Sequence, residues 1–262
     1  MLILTMSKIN NAYLLSHNGL GDNITMIGAI KFLLLHYKTI YFVCPDIYES
    51  NVKLLINNPD VNIITFNRKH DEKISCMNII NNVYSNEDTD IFICGCHKEY
   101  LKTKINNPAI LNYEKNNKYD IKYSHIKAFY EDINLDLSIY CNYFDISSTD
   151  RSIELYKQIK DLKIIFCHTQ ASTKKISIPE NILTQINNKE YIIICANENM
   201  YNMGHSYFEI ANQFINIPVN EYIDVIKHAY QIFVIDSCFA CIILPLSMAN
   251  KLNTQKIEYR SR

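Results

Sequence analysis

The sequence predicts an α/β protein of two consecutive units, each a parallel sheet covered by helices. Three observations predict it. Apolar strand-like runs alternate with helical stripes along the chain, a polar stretch near the middle divides the alternation, and 262 residues suffice for two domains with a core each.

The first strand, residues 12–16, runs through His17-Asn18-Gly19-Leu20-Gly21-Asp22 directly into a helix whose apolar stripe is Ile24, Ile27, Ile30, Leu34 and Leu35. Three of the five glycines, Gly19, Gly21 and Gly28, fall here, so positive φ or close backbone approach is concentrated at one strand-to-helix turn. In open α/β sheets, ligands bind beyond the carboxyl ends of the strands, at such turns. Asp22, in the first helical turn, is therefore a candidate general base, and His17 at the same strand end competes for the role. A carboxylate that merely complements the helix dipole is the plain alternative for Asp22. The dinucleotide fingerprint G-x-G-x-x-G is absent, because Ile24 stands where its third glycine belongs.

Strands at 39–44, 61–66 and 90–94, with a helix at 48–56, complete the first half. Residues 106–120 read as a loop, either facing an acceptor or serving as a solvated connector, and 125–133 as a helix. The polar stretch 141–150 reads as a linker, which divides the chain into 1–145 and 146–262. The second half follows as helix 151–160, strand 162–168, helix 179–186, strands 191–196 and 213–217, helix 220–229, strand 231–235 and helix 238–249. Residues 253–262 supply one last strand. Two such halves are expected to leave a cleft between their facing strand ends.

Composition excludes several classes. A net charge of −1 without a basic run gives no footprint for nucleic acid. Residues 1–8 lack the cationic start and long apolar core of a leader, and the longest later apolar run, 239–246, is broken by Pro245. A cytosolic protein without an integral membrane segment is expected. Of nine cysteines, Cys44, Cys94, Cys167 and Cys195 sit in strand patterns as small hydrophobes. Cys238 and Cys241 have C-x-x-C spacing but no second pair and no suitably spaced histidine, so no metal is expected. The D-x-D of Asp88 and Asp90 runs into a strand start, which argues against a metal clamp for a donor.

In the second half, Ser172, Thr173, Lys174 and Lys175 follow a strand end and combine neutral donors with point charges, as a diphosphate site requires, although an ordinary polar loop has the same composition. Cys195-Ala196-Asn197-Glu198 closes another strand, with Glu198 a candidate for ribose hydroxyls or a plain surface carboxylate. Phe233-Val234-Ile235-Asp236-Ser237-Cys238 ends a third strand and begins a helix, whose free amides suit a phosphate.

These motifs resemble the ADP-heptose:lipopolysaccharide heptosyltransferases (glycosyltransferase family 9-like), which have two Rossmann-like domains facing a cleft, the GT-B fold. The G-x-GD turn at Gly19–Asp22, the H-x-(S/T)-(S/T)…K…P-E segment from His168 to Glu180, and the V-D-(S/T) turn at residues 234–237 carry the resemblance. It implies a metal-independent glycosyltransferase with Asp22 as catalytic base. The implied donor site comprises Gly19, Gly21, Ser172, Thr173, Lys174, Lys175, Glu198, Asp236, Ser237 and Cys238. No cofactor is implied beyond a nucleoside diphosphate sugar as donor substrate, and a glycan or other saccharide is the implied acceptor. Cys238 replaces the family's glycine and Cys241 its histidine, and the chain is short after the last helix. A catalytically inactive nucleotide-sugar-binding protein and a Rossmann-type oxidoreductase are the alternatives.

Overall fold

The computed structural model describes residues 9–17, 19–69, 71–115 and 124–261, in two compact units, Met1–Asp145 and Ile146–Arg262. The leader reading of residues 1–8, Asn18 of the glycine turn and positions 116–120 of the expected loop lie outside the described residues.

The first unit is a four-stranded, all-parallel sheet in the order β3-β2-β1-β4, formed by β1 (Ile9–Leu15), β2 (Tyr37–Pro45), β3 (Val61–Phe66) and β4 (Thr89–Ile93). Strands covered on both faces read as unbroken apolar runs, and β4 is buried throughout. The stripe expected to form one long helix is two, α1 (Leu20–Thr25) and α2 (Ile27–Leu33). The cause is Tyr130, whose hydroxyl donates to the Thr25 carbonyl at 2.9 Å and accepts from the Ala29 amide at 3.1 Å. The hydroxyl is thus inserted into what would be an i→i−4 bond, a recognised way to bend a helix. Gly28 lies against the next layer: a Cβ there would stand 2.9 Å from the Ile139 carbonyl oxygen.

Between β2 and β4 come α3 (Glu49–Ile56) and α4 (Glu72–Tyr84). No helix is expected at α4, whose fully buried stripe is only Cys76 and Ile80, packed on Leu15, Val43, Ile91 and Ile93. Short α5 (Pro108–Leu111), α6 (Ser124–Asp132) and α7 (Leu137–Tyr143) complete the unit. Two expectations are corrected: α5 lies inside the expected loop, and the expected linker is helical up to Tyr143. Asp90 is fully buried and accepts from the Tyr37 hydroxyl at 2.6 Å and the Asn106 and Asn107 amides at 2.8 and 3.0 Å. It is a structural carboxylate.

The second unit opens with α8 (Asp150–Lys157), capped by Thr149, and holds a parallel sheet ordered β6-β5-β7-β8. Its strands are β5 (Lys163–His168), β6 (Tyr191–Cys195), β7 (Gln231–Ile235) and β8 (Lys256–Arg260). The helices are α9 (Glu180–Leu183), α10 (Phe208–Asn212), α11 (Ile223–His228) and α12 (Cys238–Met248). The strand expected at 213–217 does not exist. After α10 the chain turns, with Asn216 at φ 54° donating its amide to the Ala196 carbonyl and Phe214 fully buried. Cys44, Cys94, Cys167 and Cys195 are buried thiols. No helix among the described residues is long and apolar enough to cross a membrane.

Candidate functional site

Each sheet has a point where successive connections leave in opposite directions, between β1 and β4 in the first unit and between β5 and β7 in the second. Crevices form there, outside the carboxyl ends of the strands. The candidate residues sort between these two places.

In the first unit, Gly19 caps α1 with extended backbone (φ −92°), so its amide is available, and Asp22 Oδ2 accepts from that amide at 2.9 Å. A Cβ on Gly19 would stand 2.8 Å from the same oxygen. The close approach is to the tip of the Asp22 side chain, and no positive φ is involved. Gly21 is helical, and its carbonyl accepts from the Thr25 hydroxyl at 3.0 Å. Asp22 is half-buried, so a carboxylate tied by one bond keeps acceptor capacity for a substrate proton.

His17 follows β1 and packs on Phe129, with ring centroids 5.3 Å apart. Its Nδ1 accepts from the Cys96 amide at 3.1 Å, which assigns the proton of the neutral ring to Nε2. With one nitrogen engaged and the other protonated, the neutral ring has no lone pair for an acceptor hydroxyl. The geometry thus favours Asp22 over His17 as base.

The turn after β4 is the part of this edge that sequence reasoning missed. Gly95 has φ 63°, and a Cβ there would stand 2.2 Å from His17 Nδ1, so both conformation and space demand glycine. Its amide donates to Asp132 at 2.8 Å. His97 is fully buried, and burial pushes its pKa down to about 4, so it is neutral at pH 7. Burial also raises the Cys96 thiol, with the nearby Glu72 and Glu99 carboxylates adding to the effect. Ser16 Oγ, Asn23 Oδ1 and His97 Nε2 are buried here without hydrogen-bond partners among the described residues. Buried polar atoms of this kind call for a partner such as a water, an ion or a ligand. An isolated glycine and histidine just past a strand end were the available signal.

In the second unit, His168 Nδ1 lies 2.9 Å from Ser237 Oγ, joining the ends of β5 and β7 across the switch point. Burial pushes His168 down to about 4 as well. Ser237 and Cys238 stand at the start of α12, beside the half-buried Asp236. On the other side of β5, the fully buried Thr169 donates its amide to Asn197 Oδ1 at 3.1 Å. Lys175 Nζ is 3.0 Å from Glu198 Oε2. Thr169 and Asn197 received no role from sequence reasoning, although both lie in its motifs.

Of the expected phosphate loop, only Lys175 makes a side-chain contact with another candidate. Residues 170–175 fold back on themselves, with the Ala171 amide donating to the Lys174 carbonyl at 2.8 Å and the Ile176 amide to Thr169 at 2.9 Å. Ser172, Thr173 and Lys174 are exposed. Their hydroxyls and charge are accessible to an anion.

No protein-family profile and no curated protein sequence matches the chain. Solved structures do. A glycosyltransferase family 9 protein of Veillonella parvula aligns with TM-score 0.56 and 12% identity, over 98% of this chain and 88% of that one. ADP-heptose LPS heptosyltransferase II of E. coli aligns with TM-score 0.52 and 9% identity, over 95% and 89%. Two parallel α/β units in this order, matched nearly end to end, give the chain the fold of the GT-B glycosyltransferases.

Proposed function

We propose that the protein is a glycosyltransferase that moves a sugar from a nucleoside diphosphate sugar to an acceptor hydroxyl on a glycan or other saccharide, without a metal at the diphosphate. The observation that carries this reading is the carboxyl edge of the second sheet. There the start of α12, the His168–Ser237 pair, and Lys175 with Glu198 offer amides, hydroxyls, a cation and a carboxylate. That set suits a diphosphate with a ribose beside it.

In this scheme, Lys175 and the amides of α12 stabilise charge as the diphosphate leaves, and Glu198 accepts from ribose hydroxyls. Asp22 removes the acceptor proton, which a hydroxyl of high pKa cannot lose unaided at neutral pH. The solved structures of like fold, among them an ADP-heptose heptosyltransferase, support the reaction class. Adenine and heptose are the first base and sugar to test.

A thermal-shift panel of nucleoside diphosphates and nucleotide sugars tests the donor site, because a ligand that binds only the native state raises its stability. A rise with at least one nucleoside diphosphate is expected. No response to any of them, in wild type, removes the donor assignment. A second reading, an inactive nucleotide-sugar-binding protein, rests on Cys238 and Cys241 replacing the expected glycine and histidine. Donor hydrolysis that is measurable in wild type and lost in Asp22→Asn separates the two.

A further inference from the structure

The first unit holds a second cluster of reactive side chains that the glycosyl-transfer scheme leaves unused. Glu72 lies in the first turn of α4, and Cys96 and His97 lie in the short 3-10 turn after β4. One ligand atom from each, carboxylate oxygen, thiol sulfur and imidazole nitrogen, falls within 4.8 Å of the others. Three donors that converge from two separate elements are within reach of a single ion.

The histidine gives an independent reason. His97 is fully buried, its Nδ1 is 2.5 Å from the Tyr100 hydroxyl, and its other nitrogen has no partner among the described residues. A histidine that binds a metal uses one nitrogen and is oriented by a hydrogen bond at the other, and a buried ring with a single nitrogen engaged by a side chain has the capacity for both. As a core residue alone, it leaves a polar atom unsatisfied.

The backbone that presents these groups is fixed. Gly95 donates its amide to Asp132 and Cys96 donates its amide to His17 Nδ1, so side chains from two other elements pin the turn. Phe66, at the end of β3, packs edge-on against the His97 ring at 5.9 Å. Ligand positions set by rigid neighbours are what a metal site needs.

We propose that Glu72, Cys96 and His97 bind one divalent transition-metal ion of the zinc class. A thiolate with an imidazole suits a borderline-soft ion such as Zn²⁺ and disfavours Mg²⁺ or Ca²⁺, which take oxygen ligands. Three protein ligands leave a fourth, open position in a tetrahedral ion. Glu72 and Cys96 are only half-buried, so that position is reachable from solvent. Binding displaces the thiol proton to solvent as the sulfur–metal bond forms. The site shares no residue with the proposed diphosphate set, so it goes beyond the transferase reading.

The test uses the full chain, stripped with chelator and titrated with Co²⁺ as a spectroscopic substitute for Zn²⁺. One equivalent should bind with a thiolate-to-cobalt charge-transfer band and tetrahedral ligand-field absorption, both abolished by added Zn²⁺. Cys96→Ser should remove the charge-transfer band. Glu72→Gln, a change at a half-buried helix position, should weaken Co²⁺ binding by at least about tenfold with an unchanged circular dichroism spectrum. It decides the matter if Cys96→Ser does not fold. No charge-transfer band in wild type overturns the proposal, and so does a band and affinity that Cys96→Ser or Glu72→Gln leaves intact. None of these readouts depends on glycosyl transfer, so failure of either proposal is distinguishable from failure of the other.

Discussion

Lys175 and Glu198, assigned to different parts of a donor, are paired with each other, Nζ to Oε2 at 3.0 Å. Both side chains are substantially exposed, 57% and 39%, so the pair adds little to stability, and its interest lies in binding. A diphosphate arriving at Lys175 competes with the Glu198 carboxylate unless the cation bridges both. Lys175→Ala is expected to weaken nucleoside diphosphate binding by about 1–3 kcal/mol, the scale of a lost charged hydrogen bond. Lys174→Ala, without such a pairing, should cost less. Calorimetry on both variants, with Glu198→Gln added to complete a double-mutant cycle, measures the terms. Unchanged affinity in all of them takes this loop out of the site.

Tyr130 and Gly28 make the start of the first unit sensitive to small changes. Tyr130→Phe removes the hydroxyl that serves both the Thr25 carbonyl and the Ala29 amide, and should cost about 1–3 kcal/mol unless the helix closes its own bond. Gly28→Ala places a methyl 2.9 Å from the Ile139 carbonyl and should cost a similar ~1–3 kcal/mol by overpacking. Urea denaturation measures both. If Gly28→Ala is neutral, α2 and α7 pack less closely than the structure shows.

How far the sequence could be read follows from what covers each segment. Strands buried on both faces declared themselves, and β7 begins and ends where its apolar run does; β3, a mostly half-buried edge strand, also matches the expected 61–66. The helix α4 did not declare itself, because two buried positions among asparagines and lysine make no visible stripe. Phe214, Ile215 and Ile217 form a short apolar run such as a strand would have, yet they follow the end of α10, and Phe214 fills the core from a turn. For the candidate sites, what was legible is their position, since the glycine turn and the motifs after β5 and β7 fall at strand ends as expected. Gly95, Cys96 and His97 were not legible, since they follow Cys94, which reads as a small hydrophobe closing a strand, and Glu72 joins them only in three dimensions.

Acid should destabilise the fold through two histidines. His97 and His168 each have a folded-state pKa of about 4, against about 6.5 for the exposed ring. Between those values the unfolded chain binds protons that the native one refuses, so stability present at pH 7 is lost as the pH falls from about 6.5 toward 4. Urea midpoints measured with chelator across this range should decline, and His97→Gln or His168→Gln should flatten the slope. A slope that neither variant changes would mean that both rings are hydrated in solution.

The decisive substitution is Asp22→Asn. The amide oxygen can still accept from the Gly19 amide, so the cap at the start of α1 survives and the fold should hold. What is lost is basicity. If Asp22 takes the acceptor proton in the transition state, turnover should fall by roughly 10²–10⁴-fold while donor affinity stays within a few-fold, the pattern of an interaction needed for chemistry and not for binding. His17 is the control. Its Nδ1 holds the Cys96 amide, so His17→Ala should disturb the Gly95–Cys96 turn and lower thermal stability, whereas His17→Asn, with an oxygen to accept that bond, should restore much of both stability and activity. If instead Asp22→Asn keeps near-normal turnover while His17→Asn is stable and inactive, the ring is the base, and it must work in the tautomer opposite to the one this hydrogen bond assigns.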